Sequence, residues 1–185
     1  LLDELETNNK EYTPYWQINT LNKPQVTKEG FVLNSSFKDA GGTTYVDMIK
    51  PKVDDRVVQL YSGDSSAFVF GDMYQVKSPW PEAKGTRILV SPKGNSDHSS
   101  YATIFQMTEG DGNSLPIDAV EYANYYLIKI ADRIIIIAKS DRFLEEDLEI
   151  EVPGDQEYEI MLVGLKDGYW NVSNPIKNSK FNINI

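Results

Sequence analysis

Apolar positions in this chain recur at every second residue. Arg56-Val-Val-Gln-Leu-Tyr61 and Ser66-Ala-Phe-Val-Phe70 flank a Ser-Gly-Asp-Ser turn. Thr86-Arg-Ile-Leu-Val-Ser91 and Tyr101-Ala-Thr-Ile-Phe-Gln-Met107 continue the alternation. Tyr125-Tyr-Leu-Ile-Lys-Ile130 and Arg133-Ile-Ile-Ile-Ile-Ala138 stand either side of Ala131-Asp132, the spacing of a tight hairpin. Leu148 to Val152, Tyr158 to Val163, Tyr169 to Val172 and Phe181 to Ile185 repeat the theme. These runs are rich in β-branched and aromatic residues, which suit a pleated surface.

Turn signals fall between the runs: NKP, DAGG, SGDS, EGDG, VPGD, LKDG and SNP. No long segment places apolar residues at i, i+3, i+4 and i+7. The two exceptions are small: Leu1 to Leu5 reads as the end of a helix cut off upstream, and Asp118 to Tyr125 as a helical turn. The pattern predicts an all-β fold, an antiparallel β-sandwich of two packed sheets with little helix. We expect residues 1–11 to be an N-terminal segment, the end of an upstream domain or linker, and residues 12–185 to form the β-sandwich domain. One domain is the default at this length, with two small subdomains as the alternative.

Composition narrows the chemistry. With 185 residues the chain buries roughly 70% of its unfolded surface. It has no cysteine, so disulfides, thiol nucleophiles and Cys-based zinc sites are excluded. The formal charge of −10 opposes binding to nucleic acid, because counterion release needs a cationic surface and the basic residues here are scattered. No apolar run approaches the ~20 residues of a membrane helix, so no membrane partner is expected. The start, LLDELETNNK, is acidic and lacks a signal-peptide pattern and an initiator Met; we expect a processed or excised piece.

The candidate sites divide by what their neighbours allow. His98, the single histidine, sits in Asn95-Ser-Asp-His-Ser-Ser100 beside Asp97. Sequence neighbours on an extended loop point apart, so this is an exposed loop histidine and not a triad. Glu109, Asp111 and Asn113 alternate as Ca²⁺ ligands do, but the terminal bidentate Glu is missing, and a hairpin loop is the simpler reading. We expect no metal and no cofactor. Asp54-Asp55 and Glu145-Glu146-Asp147 are acid clusters that nothing sets across a cleft as glycoside hydrolysis requires; they read as solvated edges. Aromatics cluster at Tyr12, Tyr15 and Trp16, at Trp80, and at Tyr169-Trp170. Trp80, Trp16 and Trp170 are the candidate carbohydrate-binding platforms; core packing is the alternative use for each. Trp80, between two prolines, is the best placed for exposure.

Five segments in order resemble the C-terminal β region of heparinase II/III-like polysaccharide lyases. They are Tyr15-Trp-Gln-Ile-Asn-Thr-Leu-Asn-Lys-Pro24, Gly41 through Pro51, and Arg87-Ile-Leu-Val-Ser-Pro92 followed by Asp97 and Tyr101 to Met107. Ile130-Ala-Asp-Arg-Ile-Ile-Ile-Ile137 and Val163-Gly-Leu-Lys-Asp-Gly-Tyr-Trp-Asn-Val172 complete the set. Together they cover about residues 12–173. The resemblance implies a secreted or periplasmic bacterial enzyme that cleaves uronic-acid polysaccharides by β-elimination, a base taking the proton α to the carboxylate. In that family the catalytic tyrosine and histidine lie on an N-terminal helical toroid and a central β-sandwich. No residue of this chain matches them, so we assign no catalytic residue. The resemblance thus implies a non-catalytic C-terminal β-sandwich domain, partnered by upstream catalytic domains of the same chain and by a polysaccharide ligand. A stand-alone carbohydrate-binding or adhesion module is the alternative.

Overall fold

The computed structural model describes residues 1–37, 40–69, 71–75, 77–80, 84–110, 112–139, 142–152, 157–176 and 180–184. These residues are almost entirely strand and turn, the expected all-β class with antiparallel sheets. They gather into two compact units, residues 1–114 and 115–185.

The first unit contains β1 (Leu2–Glu6), β2 (Trp16–Thr20), β3 (Gln25–Val26), β4 (Gly30–Phe37) and β5 (Ala40–Lys50). It continues with β6 (Arg56–Ser62), β7 (Phe68–Val69), β8 (Asp72–Met73), β9 (Thr86–Pro92) and β10 (His98–Glu109). A five-stranded sheet of order β1-β10-β5-β4-β3 faces a three-stranded sheet of order β2-β9-β6. Register shows why. Trp16 lies across from Val90, and Ile18 from Ile88. On the other side of β9, Val58 meets Val90 and Leu60 meets Ile88. The alternate positions of all three strands therefore form one apolar face. The larger sheet answers with Phe31, Val46, Met48 and Tyr101. The ring of Phe105 lies 6.4 Å from that of Trp16.

Three residues fix this sandwich. Arg56, at the start of β6, is buried and donates to the carbonyls of Lys28 (2.7 Å), Met48 (3.2 Å) and Pro51 (3.3 Å). Burial pushes its pKa down, and nearby Glu29 pulls it back up. Gly30 opens β4 where a Cβ would overlap the carbonyl of Val46. Tyr101 is 1% exposed and its hydroxyl donates to the Pro14 carbonyl at 2.8 Å. A register shift between Ala102 and Thr103 keeps Tyr101, Ala102 and Thr103 all buried, which strict alternation would forbid.

The second unit contains β11 (Ile117–Glu121), β12 (Tyr125–Ile130), β13 (Arg133–Ala138), β14 (Leu148–Glu151), β15 (Glu159–Val163), β16 (Asn171–Ile176) and β17 (Lys180–Asn184). One sheet runs β11-β12-β13-β15 and the other β14-β17-β16. The expected hairpin is present: Ile130 pairs with Arg133, and Ala131 takes a φ of 50° to make the turn. β15 pairs parallel with β13, so the chain leaves through β14 and returns. Leu127, Ile134, Ile136, Leu148 and Ile150 make the core. Gly164, at φ 83°, lets the chain pass Ala138, whose Cβ would lie 2.7 Å from an added Cβ.

Four local expectations are corrected. Leu1 to Leu5 is not a helix end: Leu2–Glu6 pairs antiparallel with β10. Asp118 to Tyr125 begins as strand, not as a helical turn. Ser66 to Phe70 is only in part a strand, because Gly63–Ala67 is a 3-10 turn. There the hydroxyls of Ser65 and Ser66 donate back to the carbonyls of Ser62 and Gly63, an alternative to a ladder. The last motif enters its strand at Asn171, not at Tyr169.

Burial, with a smaller push from Tyr15, raises the Tyr101 pKa from 10.0 to about 12. The unfolded chain therefore loses this proton first. Stability is intact below pH 10 and falls as pH climbs towards 12, by about 2–3 kcal/mol in all. Melting curves across that window should show the slope, and Tyr101→Phe should flatten its share. Arg56→Met should cost about 2–4 kcal/mol by chemical denaturation, because three carbonyls lose a charged donor; a cost below 1 kcal/mol by the same measure would mean water replaces the guanidinium.

Candidate carbohydrate-contact site

Between β6 and β9 the first unit makes an excursion. The β7–β8 hairpin pairs Phe68 with Met73 and Val69 with Asp72. Arg87 on β9 holds it by donating to the Phe68 carbonyl, with its guanidinium 5.1 Å from the centre of the Tyr61 ring. Tyr61 and Phe68 stack at 6.2 Å. Beside this hairpin lies a groove of about 350 Å³ lined by Asp64, Met73, Tyr74, Gln75, Lys77 and Lys84. Its volume sits at the lower end of small-molecule sites.

The groove mixes apolar surface with charge. Tyr74 is 59% exposed. Lys84 Nζ lies 2.7 Å from Asp64 Oδ1. Hydrogen bonding and the charge of that ammonium hold the Asp64 carboxyl below the usual carboxylate range. Trp80 stands on the segment between the two lining lysines and is 71% exposed; its backbone N–H donates to Ser78 Oγ.

The other expected platforms divide sharply. Trp16 is 7% exposed and belongs to the core, so it offers no face to a ligand. Trp170 is half-buried against the second core, and its indole N–H donates to the Lys166 carbonyl at 3.0 Å. Tyr12, Tyr15 and Tyr169 are exposed, and none lines the groove. Tyr74, Lys77 and Lys84 escaped the sequence reading. The available signal was an aromatic and two lysines around a Pro-Trp-Pro stretch with no period-two order.

The remaining candidates are structural. His98 opens β10 on the surface, and its backbone N–H donates to Ser96 Oγ. Asp97 pairs with Lys10 at 3.3 Å, which lowers its pKa. The loop 93–97 carries the chain from one sheet to the other. Asp111 lies outside the described residues. Around it, Thr43 Oγ1 donates to the Gly110 carbonyl, and Tyr45 Oη and Thr108 Oγ1 donate to that of Gly112. These are oxygens a Ca²⁺ loop would need. Among the described residues no group of three acidic or histidine side chains is placed to hold a metal. Asp54 and Asp55 lie exposed in a 3-10 turn. Glu145 pairs with Lys166 at 2.6 Å, and Glu146 accepts from Asn124.

The family model of the heparinase II C-terminal domain matches residues 119–185. The match starts inside β11 and so covers almost all of the second unit. It bears out the family resemblance, and the motifs Ile130–Ile137 and Val163–Val172 lie within it. The upstream motifs lie outside it, in the first unit. No curated protein matches the chain.

Trp16→Ala should cost about 3–5 kcal/mol, as removal of a buried aromatic does. Trp80→Ala should leave the unfolding free energy within about 0.5 kcal/mol of the parent. Equal losses in paired denaturant titrations would place both indoles in the core.

Proposed function

We propose that this chain is the C-terminal β-rich part of a heparinase II-like polysaccharide lyase, and that it supports catalysis without performing it. The observation that carries this reading is the coincidence of the heparinase II C-terminal match with a compact unit that has its own core. The substrate of the parent enzyme would be a uronic-acid polysaccharide, and upstream domains of the same polypeptide would supply the base and acid of β-elimination. A polymer of that size is met outside the cytoplasm, which favours a periplasmic or secreted protein.

The chemistry of the described residues is consistent with a supporting role. The His98 backbone bonds to the Ser96 hydroxyl at both its N–H and its carbonyl, and Asp97 is paired with Lys10 and not with the imidazole. Tyr101, the most buried tyrosine of the first unit, has its hydroxyl committed to a backbone carbonyl and its pKa raised, the reverse of what a general base near neutrality needs.

The purified chain should produce no unsaturated uronate from alginate or heparan-type polymers, measured by ultraviolet absorbance. The native gene product should be several times the 21.0 kDa of this chain on a denaturing gel of its own cell. Turnover by the bare chain would overturn the non-catalytic role, and a native product near 21.0 kDa would overturn the lyase assignment.

A further inference from the structure

We propose that the groove lined by Asp64, Met73, Tyr74, Gln75, Lys77 and Lys84 binds an acidic sugar unit of a polysaccharide, with the exposed Trp80, on the chain segment between the two lysines, as an added stacking face. The inference is carried by three features that meet in one short stretch. The first is aromatic surface left in water. Trp80 is 71% exposed and Tyr74 59%. Aromatic faces in such positions suit the C–H faces of a pyranose ring, with a polar tip left for hydroxyls. Prolines on both sides of Trp80 restrict the backbone at this position, so less main-chain freedom remains to be lost when a ligand arrives.

The second feature is local charge. Among the described residues the lining carries two ammonium groups, Lys77 and Lys84, and one carboxylate, Asp64, an excess of one positive charge. The chain as a whole carries −10. A cationic groove on an acidic molecule draws a carboxylate to that place and repels a polyanion elsewhere. Two lysines cannot track the backbone of a nucleic acid, which needs an extended basic path. They suffice for one sugar acid.

The third feature is the Lys84–Asp64 pair. It is exposed, so the bond at 2.7 Å is readily exchanged for another carboxylate. Asp64 thus stands where the ligand's own carboxylate would go. It sets the threshold for entry, and neutral sugars would gain nothing by displacing it. Gln75, also in the lining, can donate to and accept from ring hydroxyls.

The choice of uronate polymers as probes rests on the lyase reading. The test uses the purified chain in isothermal titration against oligosaccharides of alginate and of heparan sulfate, with neutral cello-oligosaccharides and free sulfate as comparisons. The acidic oligosaccharides should bind, and the neutral ones should not. Trp80→Ala should weaken binding about tenfold with an unchanged melting temperature. Lys77→Ala should weaken it several-fold and reduce its salt dependence. Asp64→Asn should tighten it several-fold at low salt, a gain that a merely structural role for Asp64 would not give.

Affinity that ignores all three substitutions would overturn the groove, as would absence of binding. Equal competition by free sulfate would reduce it to an anion patch and overturn the sugar assignment. Binding of neutral sugars with equal affinity would overturn the acidic class. The lyase reading fails separately: a native product of about 21.0 kDa with Trp80-dependent binding intact would end that reading and leave the groove standing.

Discussion

Arg56 sits where the chain leaves the five-stranded sheet at Lys50 and enters the three-stranded sheet with β6. Its guanidinium collects the carbonyls of Lys28, Met48 and Pro51 at the corner between the sheets. The planar fork reaches several acceptors at once, and its charge is compensated by carbonyl dipoles with Glu29 nearby. The rest of the first sandwich follows from the corner being held. Gly30 comes close enough to pass the Val46 backbone, β4 pairs with β5, and the apolar faces of β2, β9 and β6 find theirs opposite.

The second unit solves the same problem by pattern alone. Ile134 and Ile136 point to one side of β13; Ile136 lies between Leu127 on β12 and Leu162 on β15, and Ile134 lies beside Ile160 on β15. The parallel return of β15 lets β14 cross to the facing sheet and place Leu148 and Ile150 over the same core. No cysteine and no long helix is needed. The match to a heparinase II C-terminal domain fits a module whose identity lies in this arrangement of short strands.

Much of this was legible in alternation. The runs that became β6, β9, β10, β12 and β13 were read from the period of two, as was the Ala131-Asp132 turn. β1 and β4 were not. Leu2–Glu6 is acidic, and its strand character comes from the ladder with β10, not from its side chains. In β4 the polar Asn34-Ser35-Ser36 hides the alternation of Phe31 and Leu33. Among the tryptophans, Trp16 alternates with Ile18 and packs inside, whereas Trp80 breaks the pattern and stays out. The groove lay beyond pattern reading because the pairing of Asp64 with Lys84 exists only once β7 and β8 have folded back.

The place of β17 has a consequence for synthesis. It lies between β14 and β16, so it is the middle strand of its sheet although it comes last in this chain. Neither neighbour pairs with the other. Until residues 180–184 have left the ribosome, that sheet has no centre on which to assemble. A nick just before Lys180 would therefore cut that layer of the second sandwich off from its middle strand.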